Sequence, residues 1–138
     1  MKFLNSWTFK SDGLSQVYVE HKGQIFEGVA KCHPDDEWSE FTGCRFAELR
    51  AEKKALKAQY KEEKLKLDGI KNFITAVSQY KNFDNESPTA KAMYRQYNRR
   101  VKQLEELASK ISAIDNIIKY RLEALKSAEK KRKESKKS

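Results

Sequence analysis

KNFDNESPTAKAMYRQYNRR, residues 81–100, is the stretch on which the fold turns. Asp84, Asn85 and Glu86 are polar, carry no helical periodicity and mark a loop. Ser87-Pro88 is a strong helix start. A serine hydroxyl can accept from the free amides of a first helical turn, and proline lacks the amide that would go unsatisfied there. One helix therefore ends just before this loop and another begins just after it.

Working upstream, Phe46, Leu49, Leu56, Tyr60, Leu67, Ile70, Ile74 and Val77 recur at alternating steps of three and four, which is the spacing of one helix face. Lys53 and Glu63 are the two polar interruptions of that stripe. Gly69 costs about 1 kcal/mol in a helix interior, so a bend is expected there. The first helix is assigned to residues 38–81. Downstream, Tyr97, Val101, Leu104, Ala108, Ile111, Ile118, Leu122 and Leu125 continue in the same register, with Asp115 as the polar position. The second helix is assigned to residues 87–125. Two such helices joined by a short loop form an antiparallel hairpin, each arm on the order of 50–60 Å long at 1.5 Å per residue. The Phe46 end of one arm and the Leu125 end of the other are expected beside the N-terminal segment.

That segment has a different period. Residues 5–10 are rich in aromatic and β-branched side chains, and Ser11-Asp12-Gly13 reads as a turn. Residues 15–21 alternate, with Val17 and Val19 on one face and Gln16, Tyr18 and Glu20 on the other. Lys22-Gly23 is a tight turn into a third strand over 24–32, where Gly28 signals a bulge or a close backbone approach. His33-Pro34 ends the sheet. Asp35, Asp36 and Glu37 suit a first helical turn, and Ser39 is a further N-cap candidate. The expected fold is α+β: a small N-terminal antiparallel β-meander over 1–33, then a long antiparallel two-helix hairpin, within a single domain over 1–125. Residues 126–138 are assigned to a disordered or frayed basic tail.

The composition agrees. Of 138 residues, 38% are hydrophobic and 36% charged, which suits long helices with solvated faces and a thin core that a further copy of the chain would complete. Net charge is +9, of which the tail carries +5 through six Lys and one Arg against two Glu. The tail is thus a solubility device or a non-specific anion contact, and nucleic acid is not the expected partner. Residues 1–10 are broken by Lys2, Asn5 and Ser6 and do not resemble a signal peptide. No run approaches the ~20 apolar residues of a membrane span. The expected compartment is reducing cytoplasm, with Cys32 and Cys44 as free thiols.

Little in the chain suggests catalysis. Cys32 and His33 are adjacent, so on a strand they face opposite ways. His21, Cys32, His33 and Cys44 lack paired metal-ligand spacing, and no metal or cofactor is expected. Glycine-rich phosphate loops and nucleophile-elbow motifs are absent from the sequence. The informative cluster lies around the hairpin loop: Lys81, Phe83, Lys91, Tyr94, Arg95, Tyr97, Arg99 and Arg100. Guanidinium groups fork onto phosphate oxygens and aromatic rings stack on bases, so these residues suit a nucleotide. The alternative is a solvated basic face with Tyr97 in the seam. A second basic group, Arg45, Arg50, Lys53, Lys54 and Lys57, admits the same two readings.

The run GVAKCHPDDE at 28–37, Gly43, Ala47-Glu48-Leu49-Arg50-Ala51, Lys81-Asn82-Phe83 and Tyr94-Arg95-Gln96 together resemble the phage anti-Thoeris sponge family. The resemblance runs across most of 15–125. It implies a non-enzymatic protein, acting in the cytoplasm of an infected bacterium, that sequesters cyclic ADP-ribose isomers such as glycocyclic ADP-ribose without cleaving them. It further implies a homo-oligomer, dimer or hexamer, with the ligand at a subunit interface, and in some members a separate site for cyclic trinucleotides. By this resemblance Phe83 would stack the base. Chemistry and location add Arg95, Arg99 or Lys91 for the pyrophosphate, Asn98 or Asn85 for hydroxyls, and Tyr94 beside them. Arg45, Arg50 and Lys54 are the candidates for a second nucleotide site. The long Lys-rich tail has no role in the family pattern. A nucleic-acid-binding protein and a helical protein-interaction module remain the alternatives.

Overall fold

The computed structural model describes residues 1–9, 12–31 and 40–137, the side chains of 40, 41, 129, 132, 136 and 137 excepted. The expectations at Lys10, Ser11, Cys32, His33, Pro34, Asp35, Asp36, Glu37 and Ser39 lie outside the described residues. A three-stranded antiparallel sheet is followed by a long helical hairpin, so the fold is α+β as the periodicities require. Strand β1 is Lys2–Phe9, β2 is Leu14–His21 and β3 is Gln24–Lys31, in the order β1-β2-β3. Helix α1 is Glu40–Ser78 and helix α2 is Pro88–Lys137.

The chain divides into two compact units, Met1–Leu56 with Ile111–Ser138, and Lys57–Lys110. In the first, the turn between β2 and β3 is two residues long. Lys22 and Gly23 both have positive φ, at 52° and 78°, which is the conformation a tight hairpin of this length demands. Its register is unbroken from Leu14 opposite Lys31 to His21 opposite Gln24. Gly28 therefore marks no bulge. It marks the close approach: a Cβ there would run into the carbonyl of Ala47 and lie 2.6 Å from the amide nitrogen of Ala51. Helix α1 lies on β3 at Gly28, where only glycine leaves room. The bulge is in β1, between Phe3 and Asn5.

Ser15, Val17 and Val19 point to the helical side of β2 and are fully or almost fully buried. Val17 and Val19, with Ala30 of β3 and Phe46, Ala47 and Ala51 of α1, form the hydrophobic core, and Phe26, Ile118 and Leu122 pack against it. The Phe46 end of α1 thus meets the sheet as expected. On α2 the contact comes from Ile118 and Leu122, whereas Leu125 is 46% exposed. The alanines at 47, 51 and 55 are fully buried, because small side chains let helix and strand backbones approach.

In the second unit the remainder of α1 and the first part of α2 are joined by tightened turns. Phe83 N–H donates to the Tyr80 carbonyl at 3.1 Å and Ser87 N–H to the Asp84 carbonyl at 3.1 Å. Helix α1 ends at Ser78, three residues before its expected end, where the Ser78 hydroxyl donates to the Thr75 carbonyl at 2.9 Å. Ser87 caps α2: its hydroxyl oxygen accepts from Ala90 N–H at 3.2 Å, with Pro88 in the first helical position. Leu67, Ala90 and Leu107 are the buried side chains here. Leu107, not the expected Ala108, takes the inward place on α2; Ala108 is exposed. Stepping from Leu104 to Leu107 to Ile111 keeps the three-four alternation and buries the larger side chain.

The polar interruptions find one another. Lys53 pairs with Asp115 inside the first unit, and Glu63 pairs with Arg100 at 3.7 Å inside the second. Each pair joins α1 to α2 in antiparallel sense. An unpaired charge at such a half-buried seam is costly, so these pairs favour one register of the hairpin over its neighbours.

The expectation of a disordered or frayed tail does not hold for residues 126–137. Helix α2 continues to Lys137. Beyond residue 125 the sequence holds no glycine or proline, and ten of its 13 residues are Lys, Arg, Glu or Ala, which are strong helix formers.

Candidate functional site

On α2, Lys91, Arg95, Asn98 and Arg99 follow one another at helical spacing and all four are exposed. Met93, Tyr97, Arg100 and Leu104, half a turn away, are half-buried. The basic ridge therefore faces away from the inward stripe. Lys91 pairs with Glu86 at 3.5 Å. Among the described residues no ion pair is found for Arg95 or Arg99. Tyr94 is held at the loop, its hydroxyl donating to Asn85 Oδ1 at 3.1 Å, and Asp84 Oδ1 accepts from Glu86 N–H at 2.9 Å to shape the same loop. Phe83 sits in the connecting turn and is half-buried. The structure thus gathers Lys91, Arg95, Asn98 and Arg99 onto one surface, ties Tyr94 to the loop, and leaves Phe83 partly covered.

On another face of α2, that of Met93 and Arg100, the second unit carries an open groove of about 450 Å³. Ile70, Phe73, Ile74 and Met93 make it apolar, and Lys66, Gln96 and Arg100 bring polar groups to it. Gly69 opens the wall: a Cβ added there would meet no atom within 4 Å. Phe73 is 60% exposed and presents an uncovered ring. Both cations are partly engaged, Lys66 with Glu62 at 3.5 Å and Glu63 at 3.9 Å, and Arg100 with Glu63. The sequence reading missed Lys66, Phe73, Met93 and Gln96. Phe73 lies outside the three-four stripe, and that absence from the seam of so large a ring is the signal that could have found it.

The second basic group behaves differently. Arg50 donates from Nη1 to the Val29 carbonyl at 2.8 Å, a partly buried bond that fastens α1 to β3. Arg45 pairs with Glu48 at 3.4 Å. Burial pushes the Glu52 carboxyl up, and the adjacent Glu48 carboxylate pushes it further, with Arg45 opposing. Lys54 alone of the three is exposed. Arg45, Arg50 and Lys54 are therefore not brought together as an open cationic surface: one holds the fold, one serves a pair of carboxylates, and one faces solvent.

Cys44 is a half-buried free thiol on α1. Among the described residues no helix is long and apolar enough to cross a membrane. No family model, no curated protein and no solved structure matches the chain.

Proposed function

We propose that the protein captures a small, doubly charged nucleotide of the cyclic ADP-ribose class and holds it without cleaving it. The observations that carry this reading are the exposed ridge of Lys91, Arg95, Asn98 and Arg99 and, on another face of α2, a groove with an uncovered aromatic ring; with the ligand between subunits, as the resemblance implies, the ridge of one copy meets the groove of another. Arginine forks bind pyrophosphate oxygens, an amide side chain bonds ribose hydroxyls, and an apolar wall with Phe73 takes the base. The groove volume falls within the range of small-molecule sites. Phe73 joins Phe83 as a candidate stacking ring, because it is the more exposed of the two. The resemblance to the sponge family supports the same ligand class.

Incubation with glycocyclic ADP-ribose, filtration, heat release and mass identification test the reading. Depletion of the nucleotide from the filtrate and its recovery intact are expected. Arg95→Ala with Arg99→Ala should lose capture while thermal unfolding stays nearly unchanged, since both side chains are exposed. Phe73→Ala and Phe83→Ala, compared in the same assay, identify the stacking ring. A filtrate as rich in nucleotide as the protein-free control overturns the proposal.

A second reading has one observation in its favour. Exposed Lys126, Lys130, Lys131 and Lys133 lie on helix rather than in a frayed tail, which is a surface a nucleic-acid backbone could follow. It predicts binding of an oligonucleotide that weakens steeply with salt and is lost on truncation after residue 125, with capture of the cyclic nucleotide unaffected.

A further inference from the structure

The two edges of the sheet are treated in opposite ways. Strand β3 carries Glu27 and Lys31, lies under α1 at Gly28, and has its Val29 carbonyl occupied by the Arg50 guanidinium. Charges and cover of this kind are how proteins stop an edge strand from pairing with another chain. Strand β1 has almost none of this. Its described residues carry one charge, Lys2 at the very start, and no proline. The bulge between Phe3 and Asn5 disturbs only the first part, and residues 5–9 pair with β2 in regular register. Seven of its eight residues are exposed.

What β1 shows to solvent is apolar. Phe3 is 53% exposed, Trp7 54% and Phe9 44%, with Met1 and Leu4 alongside. Register places Trp7 opposite Gln16 and Phe9 opposite Leu14, on the sheet face away from α1, while Phe3 lies opposite buried Val19 on the other face. Among the described residues no strand pairs with the outer edge of β1, and large side chains are exposed on both of its faces.

We infer that β1 pairs antiparallel with β1 of a second copy of this chain about a two-fold axis, joining two three-stranded sheets into one of six strands. The same strand on both sides is self-complementary, as a two-fold interface requires, and antiparallel pairing sets Lys2 of each copy away from Lys2 of the other. Taking each half-exposed aromatic ring as holding on the order of 100 Å² of free surface, the exposed side chains of β1 offer up to roughly 500 Å² per copy. Two copies offer up to about 1,000 Å², the threshold a specific interface has to clear, and the strand's outward backbone groups add their hydrogen bonds. The inference stands apart from the ligand proposed above, because it involves only the first unit.

The test uses the full chain without ligand. Sedimentation velocity at micromolar concentration should give a dimer, or a larger assembly with an even number of copies. Trp7→Lys, an exposed position, should shift the chain to monomer with an unchanged circular dichroism spectrum. Hydrogen exchange on the unmodified protein gives a second readout: alternate β1 amides, those turned away from β2, should be protected and should exchange freely after dilution to monomer. A chain that sediments as a monomer throughout, an assembly that survives Trp7→Lys, or a dimer whose outward β1 amides exchange at the free rate overturns the inference.

Discussion

Adding a single methyl group at Gly28 tests the packing on which the first unit depends. The new Cβ of Gly28→Ala would meet the Ala47 carbonyl oxygen, lie 2.8 Å from its carbon and 2.6 Å from the Ala51 nitrogen. All three are helix backbone and cannot turn aside as a flexible side chain would. Helix α1 must lift from β3, opening the contacts of Ala47, Ala51 and Phe46 with Val17 and Val19. Overpacking typically costs 1–3 kcal/mol, and with rigid backbone on the far side the loss should be about 3 kcal/mol. For a chain of this size that corresponds to a melting point lower by roughly 10 °C. Urea unfolding followed by far-UV circular dichroism measures it directly. Gly69→Ala supplies the control, since it is the same chemical change in open space. There the methyl group meets nothing, and helix propensity alone should raise stability by about 0.8–1 kcal/mol. If Gly28→Ala proves as stable as the parent, or if both substitutions lose alike, the close approach of α1 to β3 is not what holds this unit together.

Arg50→Met keeps the aliphatic stem but removes the donor to Val29, and should cost about 1–2 kcal/mol in the same urea assay, with Arg50→Lys recovering part of it. A double-mutant cycle of Lys53→Met and Asp115→Leu should show a coupling of about 0.5–1 kcal/mol, because the pair is only half-buried; a coupling of zero would mean that it does not help set the register. Glu52 carries its proton more readily folded than unfolded, so its ionisation works against the fold once pH rises through the ordinary carboxylate range. Glu52→Gln should therefore be more stable than the parent at neutral pH. The gap should close as pH falls to where the unfolded carboxyl is itself protonated. A gap that widens in acid would reverse the assigned sign.

The α+β class, the meander, the two helices and the Ser87-Pro88 cap were legible in the sequence, because each rests on local periodicity or on the chemistry of one or two neighbouring residues. The polar interruptions Lys53, Glu63 and Asp115 were visible as such, but their partners were not, since pairing depends on which turn of α1 faces which turn of α2. The same limit explains Gly28: the sequence admitted a bulge or a close approach, and only the position of α1 over β3 decided between them. It explains Arg50, which was read as a free cation and is held by a carbonyl 21 residues away. It also explains Phe73, whose exposure is set by the groove beside Gly69 and not by any motif. Residues 126–137 went the other way: their charge suggested a tail, and uninterrupted helix propensity carried α2 through them. Sequence by itself determined what each segment is, through forces acting within about one helical turn or one strand pair. Tertiary structure alone decided which charges are paired, which rings stay uncovered and which strand edge is left open, because those depend on contacts between residues far apart in the chain.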